Sequence, residues 1–214
     1  MNKRLDSSEP GGLLTQIMLN PLSYIHPRRL RLSNKLNTPR QRAIVNRMLI
    51  AGVPEASDCL FASHYVSRLR LLHCWRLLPF VCTLVGAHLL KQELAWQGRM
   101  LKLSAAVRFF MFLPLQHSVG ANGSVLMDLM PHGGARAEIL SDKEYLLLQV
   151  QAVGLSCLLD WQQHASEGLL GRMRLLFPPE LEACFFNLRR PVQSAELMLI
   201  LQAIEYDKNH PNGL

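Results

Sequence analysis

The chain has 214 residues, of which 49% are hydrophobic and 18% charged, a globular composition that argues against a largely disordered protein. Its formal net charge of +7 lies wholly in residues 1–50, which hold nine Lys or Arg and two Asp or Glu, while the remainder is balanced. The longest apolar run, residues 77–90, is shorter than the roughly 20 residues that cross a bilayer, so we predict no transmembrane segment.

The first elements in chain order are a polar lead-in and a capped helix. Residues 1–12 end in Pro-Gly-Gly, so we expect a flexible lead-in that stops there. In residues 39–52, Thr38 can cap a helix, Pro39 suits its first position, and Gly52 can end it. The apolar stripe of this helix is predicted at Ile44 and Met48, with Val45 and Leu49 as further candidates. Another helix is expected to follow, from near Ser57 or Asp58 towards Leu72.

The stretch from Trp75 to Gly98 is the most informative part of the sequence for the fold. Because Pro79 disfavours helical backbone at Leu78, a new helix can begin at Pro79 itself. Residues 80–90 are apolar nearly all round, as in a helix that is covered on several sides. Gly86 costs such a helix about 1 kcal/mol relative to alanine, which suggests a close approach to a second helix.

The second half of the chain continues the helical pattern after one irregular segment. Residues 99–112 predict a shorter amphipathic helix, and residues 114–135 a Gly-rich loop. Residues 144–164 predict a second apolar helix, Pro178 and Pro179 open another, and a last helix starts near Ser194. The sequence therefore predicts an all-α fold, a compact helical domain of roughly seven to nine helices over residues 13–214.

Side chains that could support chemistry do not form a recognisable pattern. No phosphate-binding loop, dinucleotide fingerprint, nucleophile elbow or zinc-protease motif is present. His73, Cys74, Cys82 and His88 lie close in sequence, but their spacing is not that of a zinc site. The five cysteines are odd in number and sit in apolar runs, which favours buried thiols in a reducing cytoplasm. We predict no enzyme activity, no cofactor and no metal.

The segment NPLSYIHPRRL, residues 20–30 and hereafter the signature segment, is the most unusual in the chain. Asn20 can cap a helical turn that begins at Pro21, and Pro27 forces His26 out of a helix. One interpretation is that the apolar groups of this turn pin the N-terminal region to the core. The other is that four side chains face a partner: Tyr24, His26, Arg28 and Arg29. Trp75, Leu78 and Pro79 are interpreted as core and corner residues rather than a pocket.

The signature segment resembles the N-terminal motif of the OrgA/MxiK family, the SctK accessory proteins of bacterial type III secretion, and its OrgA branch in particular. Residues 75–98 are similar to that family's Trp-x-x-Leu-Pro helix, with its glycine at Gly86 and its ending at Gly98. Residues 172–183 resemble its Leu-Phe-Pro-Pro helix start, and residues 203–212 also fit. The resemblance covers residues 17–112 and 145–212.

This resemblance implies a non-enzymatic cytoplasmic adaptor, located where the secretion apparatus meets the cytoplasmic face of the inner membrane. Such a protein links the cytoplasmic domain of the inner-membrane ring protein (SctD type) to the pod protein (SctQ type). The pod protein in turn reaches the ATPase through the SctL-type stalk, and the assembly is needed for effector secretion. Nucleic acid is not an implied partner. The alternative that the basic charge leaves open is a helical module that binds nucleic acid or an anionic membrane surface.

Overall fold

The structure, a computed structural model, describes most of the chain, and the regular elements of the described residues are helices. The described residues are 10–30, 38–53, 72–96, 98–113, 141–161, 167–187 and 194–209. Within these ranges there are nine α-helices and no strand, so the predicted all-α fold class is confirmed. None of the helices in these ranges is long and apolar enough to cross a membrane.

The bounds of the helices follow the chain in order. The α-helices are α1 (Pro10–Leu19), α2 (Pro39–Ala51), α3 (Leu78–Leu89), α4 (Lys91–Trp96), α5 (Ala105–Met111), α6 (Asp142–Trp161), α7 (Glu167–Leu176), α8 (Cys184–Asn187) and α9 (Ser194–Asn209). Short 3-10 turns cover Pro21–Ser23, Trp75–Leu77, Arg99–Lys102 and Pro179–Leu181.

The chain divides into two compact units. Unit 1 comprises Met1–Arg76 and His164–Pro179, and unit 2 comprises Leu77–Gln163 and Glu180–Leu214. Helices α1, α2 and α7 therefore belong to unit 1, and the other described helices belong to unit 2.

Some of the sequence predictions concern residues that the structure does not describe. The Gly-rich loop at residues 114–135 lies outside the described ranges, as does nearly all of the helix expected to run towards Leu72. The arrangement as one domain over residues 13–214 stays a prediction.

Unit 2 is organised around α3, which is buried nearly all round. Every residue from 81 to 90 is buried, and α3 packs against α5, α6 and α9. The carbonyl of Pro79 accepts hydrogen bonds from the Thr83 hydroxyl (2.9 Å) and from the Gln151 amide of α6 (3.1 Å). Polar groups at the start of α3 are thus satisfied while its apolar surface is covered on several sides.

Helices α3 and α6 approach most closely at two glycines. A Cβ atom built on Gly86 would overlap the backbone carbonyl of Val150, and one built on Gly154 would overlap that of Cys82. Backbone atoms cannot rotate away as side chains can, so each position requires a residue without a side chain. The close approach that Gly86 suggests in the sequence is present between these two helices.

Four of the five cysteines lie in the described ranges, and all four are buried. These are Cys74, Cys82, Cys157 and Cys184, and none of them forms a disulfide within the described part of the chain. Burial raises the pKa of the Cys184 thiol to about 11. The prediction of buried thiols is therefore confirmed for these four residues.

The described part of unit 1 begins with a helix where the sequence predicted the end of a lead-in. Helix α1 starts at Pro10, so Pro10, Gly11 and Gly12 open a helix instead of stopping the chain's first segment. Proline is well suited to a first helical turn, where its missing N–H would have no intrahelical partner. Glycine is a poor helix former, so α1 depends on tertiary contact, which it makes with α2 and α7. Ile17 of α1 is buried.

One predicted start of a helix in unit 2 is wrong by a residue. Helix α3 begins at Leu78 rather than Pro79, and Leu77 before it already has helical backbone angles. The residue before a proline is disfavoured in a helix but not excluded, and Leu78 is held by complete burial.

Two predicted helices are divided in the structure. Residues 99–112 form a 3-10 turn and then α5, because Ser104 adopts an extended backbone and its hydroxyl accepts from the Val107 N–H (3.4 Å). The helix predicted to open at Pro178 and Pro179 is divided into the turn Pro179–Leu181 and the single turn of α8, in which hydrogen bonds connect residues three apart.

Candidate partner-binding site

The signature segment folds as a tight turn attached to α2. In the turn Pro21–Ser23, the Tyr24 and Ile25 N–H groups both donate to the Pro21 carbonyl, at 3.1 and 2.8 Å. Asn20 precedes this turn but makes no side-chain cap, so that prediction is wrong. Instead, the side-chain oxygen of Asn20 accepts a hydrogen bond from the side-chain amide of Asn46 in α2 (2.9 Å).

Asn46 holds the turn from two directions. Its side-chain oxygen accepts from the Leu22 N–H at 2.9 Å, while its amide nitrogen donates to Asn20. A residue 24 positions further along the chain therefore binds both the backbone and a side chain of the turn. These bonds fix which side of α2 faces the signature segment.

The end of α1 is capped by one side chain close in sequence and one from a distant helix. The Tyr24 hydroxyl donates to the Ile17 carbonyl (2.7 Å), and the Arg172 guanidinium of α7 donates to the Met18 carbonyl (3.2 Å). The last carbonyls of a helix have no intrahelical donor and carry partial negative charge, so a hydroxyl and a cation suit them. Arg172 is buried, and it also donates to the Gly168 carbonyl (2.9 Å) of its own helix.

The end of α7 is capped by the second half of the signature segment. The His26 N–H donates to the Leu175 carbonyl (2.8 Å), and the Arg29 guanidinium donates to the Phe177 carbonyl (2.6 Å). These bonds join residues about 150 positions apart in sequence, as the separation of 148 between Arg29 and Phe177 shows. The signature segment thus terminates two helices of unit 1 at once.

Tyr24 also makes an aromatic contact within unit 1. Its ring meets Trp75 edge to face, with 5.8 Å between the ring centroids and 85° between their planes. Burial raises the pKa of the Tyr24 hydroxyl above its usual value, and the charge of Arg172 opposes that change. Tyr24 is therefore a neutral hydrogen-bond donor at ordinary pH, and Trp75 is 3% exposed beside it.

The proline of the signature segment creates a reverse turn. Pro27 occupies the second position of a turn closed by the Arg29 N–H and the His26 carbonyl (2.9 Å). The Arg28 N–H donates to the His26 ring nitrogen Nδ1 (3.2 Å), which is therefore an acceptor. Pro27 is exposed, and His26 and Arg28 are partly exposed.

The four residues predicted to face a partner thus differ in their surroundings. The Tyr24 hydroxyl and the Arg29 guanidinium bind carbonyls of unit 1, so polar groups also attach this segment. His26 and Arg28 lie on the partly exposed reverse turn. A partner contact through any of the four stays a prediction.

The other prolines of the sequence motifs, and Leu78, lie at buried positions or in the first residues of helical turns. Pro21 and Pro178 are buried, and Pro179 opens the turn Pro179–Leu181. Leu78 has no exposed surface, and Pro79 lies in the first turn of α3.

Helix α2 turns an apolar and cationic face to solvent. Its predicted ends are confirmed: Thr38 and Gln41 form a reciprocal capping box, Pro39 starts the helix, and Gly52 caps its end. Its predicted stripe is not in the core, because Ile44 is 52% and Met48 71% exposed. The residues on the other side are partly buried: Gln41, Val45, Asn46, Leu49 and Ile50.

Sequence reasoning did not find this exposed face, since α2 offers two apolar stripes one residue apart. Val45 and Leu49 lie beside Asn46 on the half-buried side, whereas Ile44 and Met48 lie on the exposed side. Only the hydrogen bonds of Asn46 to the signature segment decide between the stripes, and no local signal in the sequence announces them.

The described residues contain no arrangement of metal ligands. Within those ranges, no group of three or more His, Cys, Asp or Glu side chains lies close enough to hold a metal ion.

Comparison with known proteins identifies the family. The family model described as "Bacterial type III secretion apparatus protein (OrgA_MxiK)" matches residues 14–209. The chain is 30% identical over 215 residues to "Oxygen-regulated invasion protein OrgA" of Salmonella typhimurium strains 14028s, SL1344 and LT2, covering 99% of this chain and 94% of each relative. No solved structure gives a significant match. The chain belongs to the OrgA/MxiK family of bacterial type III secretion apparatus proteins.

Proposed function

We propose that this protein is a non-enzymatic cytoplasmic adaptor of the type III secretion apparatus. In this proposal it links the cytoplasmic domain of the inner-membrane ring protein (SctD type) to the pod protein (SctQ type), and through the SctL-type stalk to the ATPase. The carrying observation is the family match over residues 14–209, since it spans nearly the whole chain. The match also covers 94% of the length of each relative, so the proposal concerns the role of a whole protein of this family.

The physical features of unit 1 are compatible with an adaptor. Its polar signature residues are used largely for capping helices, which gives a stiff support rather than a reaction site. Its exposed helix α2 combines apolar and cationic side chains, the mixture from which protein interfaces are often built. Both features favour binding of another protein over chemistry on a small substrate.

The test of this proposal is deletion of the gene, followed by imaging of the apparatus in cells. We expect the membrane rings to remain and the cytoplasmic pods and secretion to be lost, because the adaptor would be the connection between them. Re-expression of the wild-type chain should restore both. Normal pods beneath the rings of the deletion strain would refute the adaptor role.

A second candidate function follows from the charge of unit 1. Its described residues contain eight arginines and a single carboxylate, Glu167. Such an excess would also suit a polyanion such as nucleic acid or an anionic membrane. Binding to both polyanions that falls steeply with salt, together with no affinity for the ring or pod proteins, would favour this candidate.

A further inference from the structure

Helix α2 presents a continuous outer face built from two rows of residues spaced four apart. The rows are Arg40, Ile44 and Met48, and Ala43, Arg47 and Ala51, and all six residues are exposed. Residues four apart lie one above the other on a helix, so the two rows are neighbours on one side. We call these six residues the outer face of α2.

The orientation of this face is fixed by the opposite side of the helix. Asn46 is bonded to Asn20 and to the Leu22 N–H, so α2 cannot rotate without breaking both hydrogen bonds. The capping box at Thr38 and the cap at Gly52 define both ends of the helix. Ile44 and Met48 are therefore exposed on a helix whose orientation and ends are fixed, and their exposure is not due to fraying.

The charge around the outer face has one sign. Arg40 and Arg47 belong to it, α2 itself contains no acidic residue, and neither arginine forms an ion pair within the described ranges. Cations held next to exposed apolar side chains favour a partner that brings carboxylates together with apolar groups. The alanines between them leave room for side chains of such a partner.

We propose that the outer face of α2 binds an amphipathic helix of a partner protein whose apolar residues are flanked by Asp or Glu. The proposal rests on the adaptor function, because it takes the ring protein or the pod protein as the source of that helix. Ile44 and Met48 pack against the apolar stripe of the partner, while Arg40 and Arg47 pair with its carboxylates. Rows of residues spaced four apart are the surface on which a second helix packs.

A membrane surface fits this face less well than a protein does. Helices that lie in a membrane interface bury a broad face rich in Trp, Phe and Leu and keep their cations on the polar side. The outer face of α2 offers one isoleucine, one methionine and two alanines, and its two arginines are on the same face. Its small apolar area suits a partner that supplies the remaining apolar surface itself.

The experiment measures binding of the full chain to the purified ring-protein cytoplasmic domain and to the purified pod protein from the same bacterium. The first variant is Ile44→Gln with Met48→Gln, and the second is Arg47→Glu. The matched control is Arg42→Glu, which makes the same charge change at an exposed residue on another side of α2. Substitutions of exposed residues should leave the melting temperature nearly unchanged, which is the fold control.

The proposal expects both variants to lose affinity for one of the two proteins. Removing the two apolar side chains should weaken binding roughly tenfold or more at every salt concentration, as truncation of central interface residues does. Arg47→Glu should weaken it most at low salt, because charge pairs at an interface are screened by ions. Arg42→Glu should retain an affinity near that of the wild type.

Three results would overturn the proposal, and they are distinguishable. Wild-type binding that all variants retain would remove the outer face of α2 from the interface and leave the adaptor function standing. A wild-type chain that binds neither protein would end both proposals. Binding to phosphatidylglycerol vesicles that is lost in the same variants, with protein binding unchanged, would assign the face to a membrane.

Discussion

At the scale of single residues, the tryptophans Trp75 and Trp96 lie in opposite environments. Trp75 is 3% exposed and meets Tyr24, whereas Trp96 is 88% exposed. We expect Trp75→Ala to lower the free energy of unfolding by about 3–5 kcal/mol, because it leaves a cavity and removes the aromatic contact. Trp96→Ala, the matched control, should change it by no more than about 0.5 kcal/mol.

The measurement for both tryptophan variants is urea unfolding of the purified proteins. A loss of about 3–5 kcal/mol is a large part of the stability of a typical domain, so Trp75→Ala should also melt well below the wild type. If the two variants unfolded at the same urea concentration, the contact of Trp75 with Tyr24 would not be a stabilising one.

His88 is a buried histidine whose ionisation opposes folding. It is 4% exposed and packs against Phe110 in unit 2. Burial, followed by the nearby charge of Lys91, lowers its pKa from 6.5 to about 4, while its hydrogen bond to the Met111 backbone acts in the opposite direction. As the pH falls, the unfolded chain therefore binds a proton at His88 at a higher pH than the folded chain does.

The stability that neutral His88 provides should be lost as the pH falls from about 6.5 towards 4. The expected loss from this residue is about 2 kcal/mol at about pH 5. Burial raises the pKa values of Glu93 and Asp207, and these carboxyls act in the opposite direction. The quantity to compare is therefore the pH dependence of the free energy of unfolding, in the wild type and in a His88 variant.

The variant that tests this is His88→Leu, measured by urea unfolding at about pH 7 and about pH 5. We expect its stability to fall less between the two pH values than that of the wild type, by about 2 kcal/mol. Equal pH dependence in the wild type and His88→Leu would mean that His88 does not titrate differently on folding.

At the scale of elements, the crossing of α3 and α6 is set by Gly86 and Gly154. Each lacks the side chain that would overlap a backbone carbonyl of the other helix, so the two helices can pack backbone to backbone. We expect Gly154→Ala to lower the free energy of unfolding by about 3 kcal/mol, because the helices would have to move apart.

The matched control for this substitution is Gly52→Ala. A Cβ atom at Gly52 would meet nothing within 4 Å, and its φ angle of −93° is open to any residue. Its stability should therefore remain within about 0.5 kcal/mol of the wild type. Thermal and urea unfolding of the two alanine variants decide the matter, and a Gly154→Ala protein as stable as Gly52→Ala would rule out the backbone overlap.

At the scale of the whole molecule, the arginines of the N-terminal quarter lie in different surroundings. The Arg29 guanidinium caps the Phe177 carbonyl, so that part of the charge supports the fold. Arg28 lies on the partly exposed reverse turn and is the better candidate for a partner contact. Reversing the charge of Arg29 should therefore affect the fold, because it removes the donor to the Phe177 carbonyl.

Single substitutions at Arg28 and Arg29 should distinguish a role in the fold from a role in binding. We expect Arg29→Glu to lower the free energy of unfolding by about 1.5–3 kcal/mol, the usual loss for a hydrogen bond to a charged group. Arg28→Glu should affect binding more than stability, and weaken binding to the ring-protein cytoplasmic domain more at low salt than at high salt.

Melting curves and binding at two salt concentrations are the measurements for these variants. An Arg28→Glu chain that bound both the ring and pod proteins as the wild type does would remove Arg28 from the binding surface. An Arg29→Glu chain as stable as the wild type would mean that the bond to Phe177 contributes nothing.

The sequence by itself determined the features that depend on neighbours along the chain. The capping box at Thr38, the proline at Pro39 and the end at Gly52 are local hydrogen-bond and backbone preferences, so the bounds of α2 were predictable. The burial of α3 followed from its apolar composition on all sides. The motifs of residues 20–30, 75–98 and 172–183 were sufficient for the family.

Only the tertiary structure decided which side of α2 is exposed and what the signature segment binds. Asn46 selects the buried side of α2 through bonds to Asn20 and Leu22, and the signature segment caps carbonyls at Leu175 and Phe177. These choices depend on groups that are distant in sequence and meet only when the chain is folded. Periodicity gives the apolar positions of a helix, but the rotation of that helix is set by such distant partners.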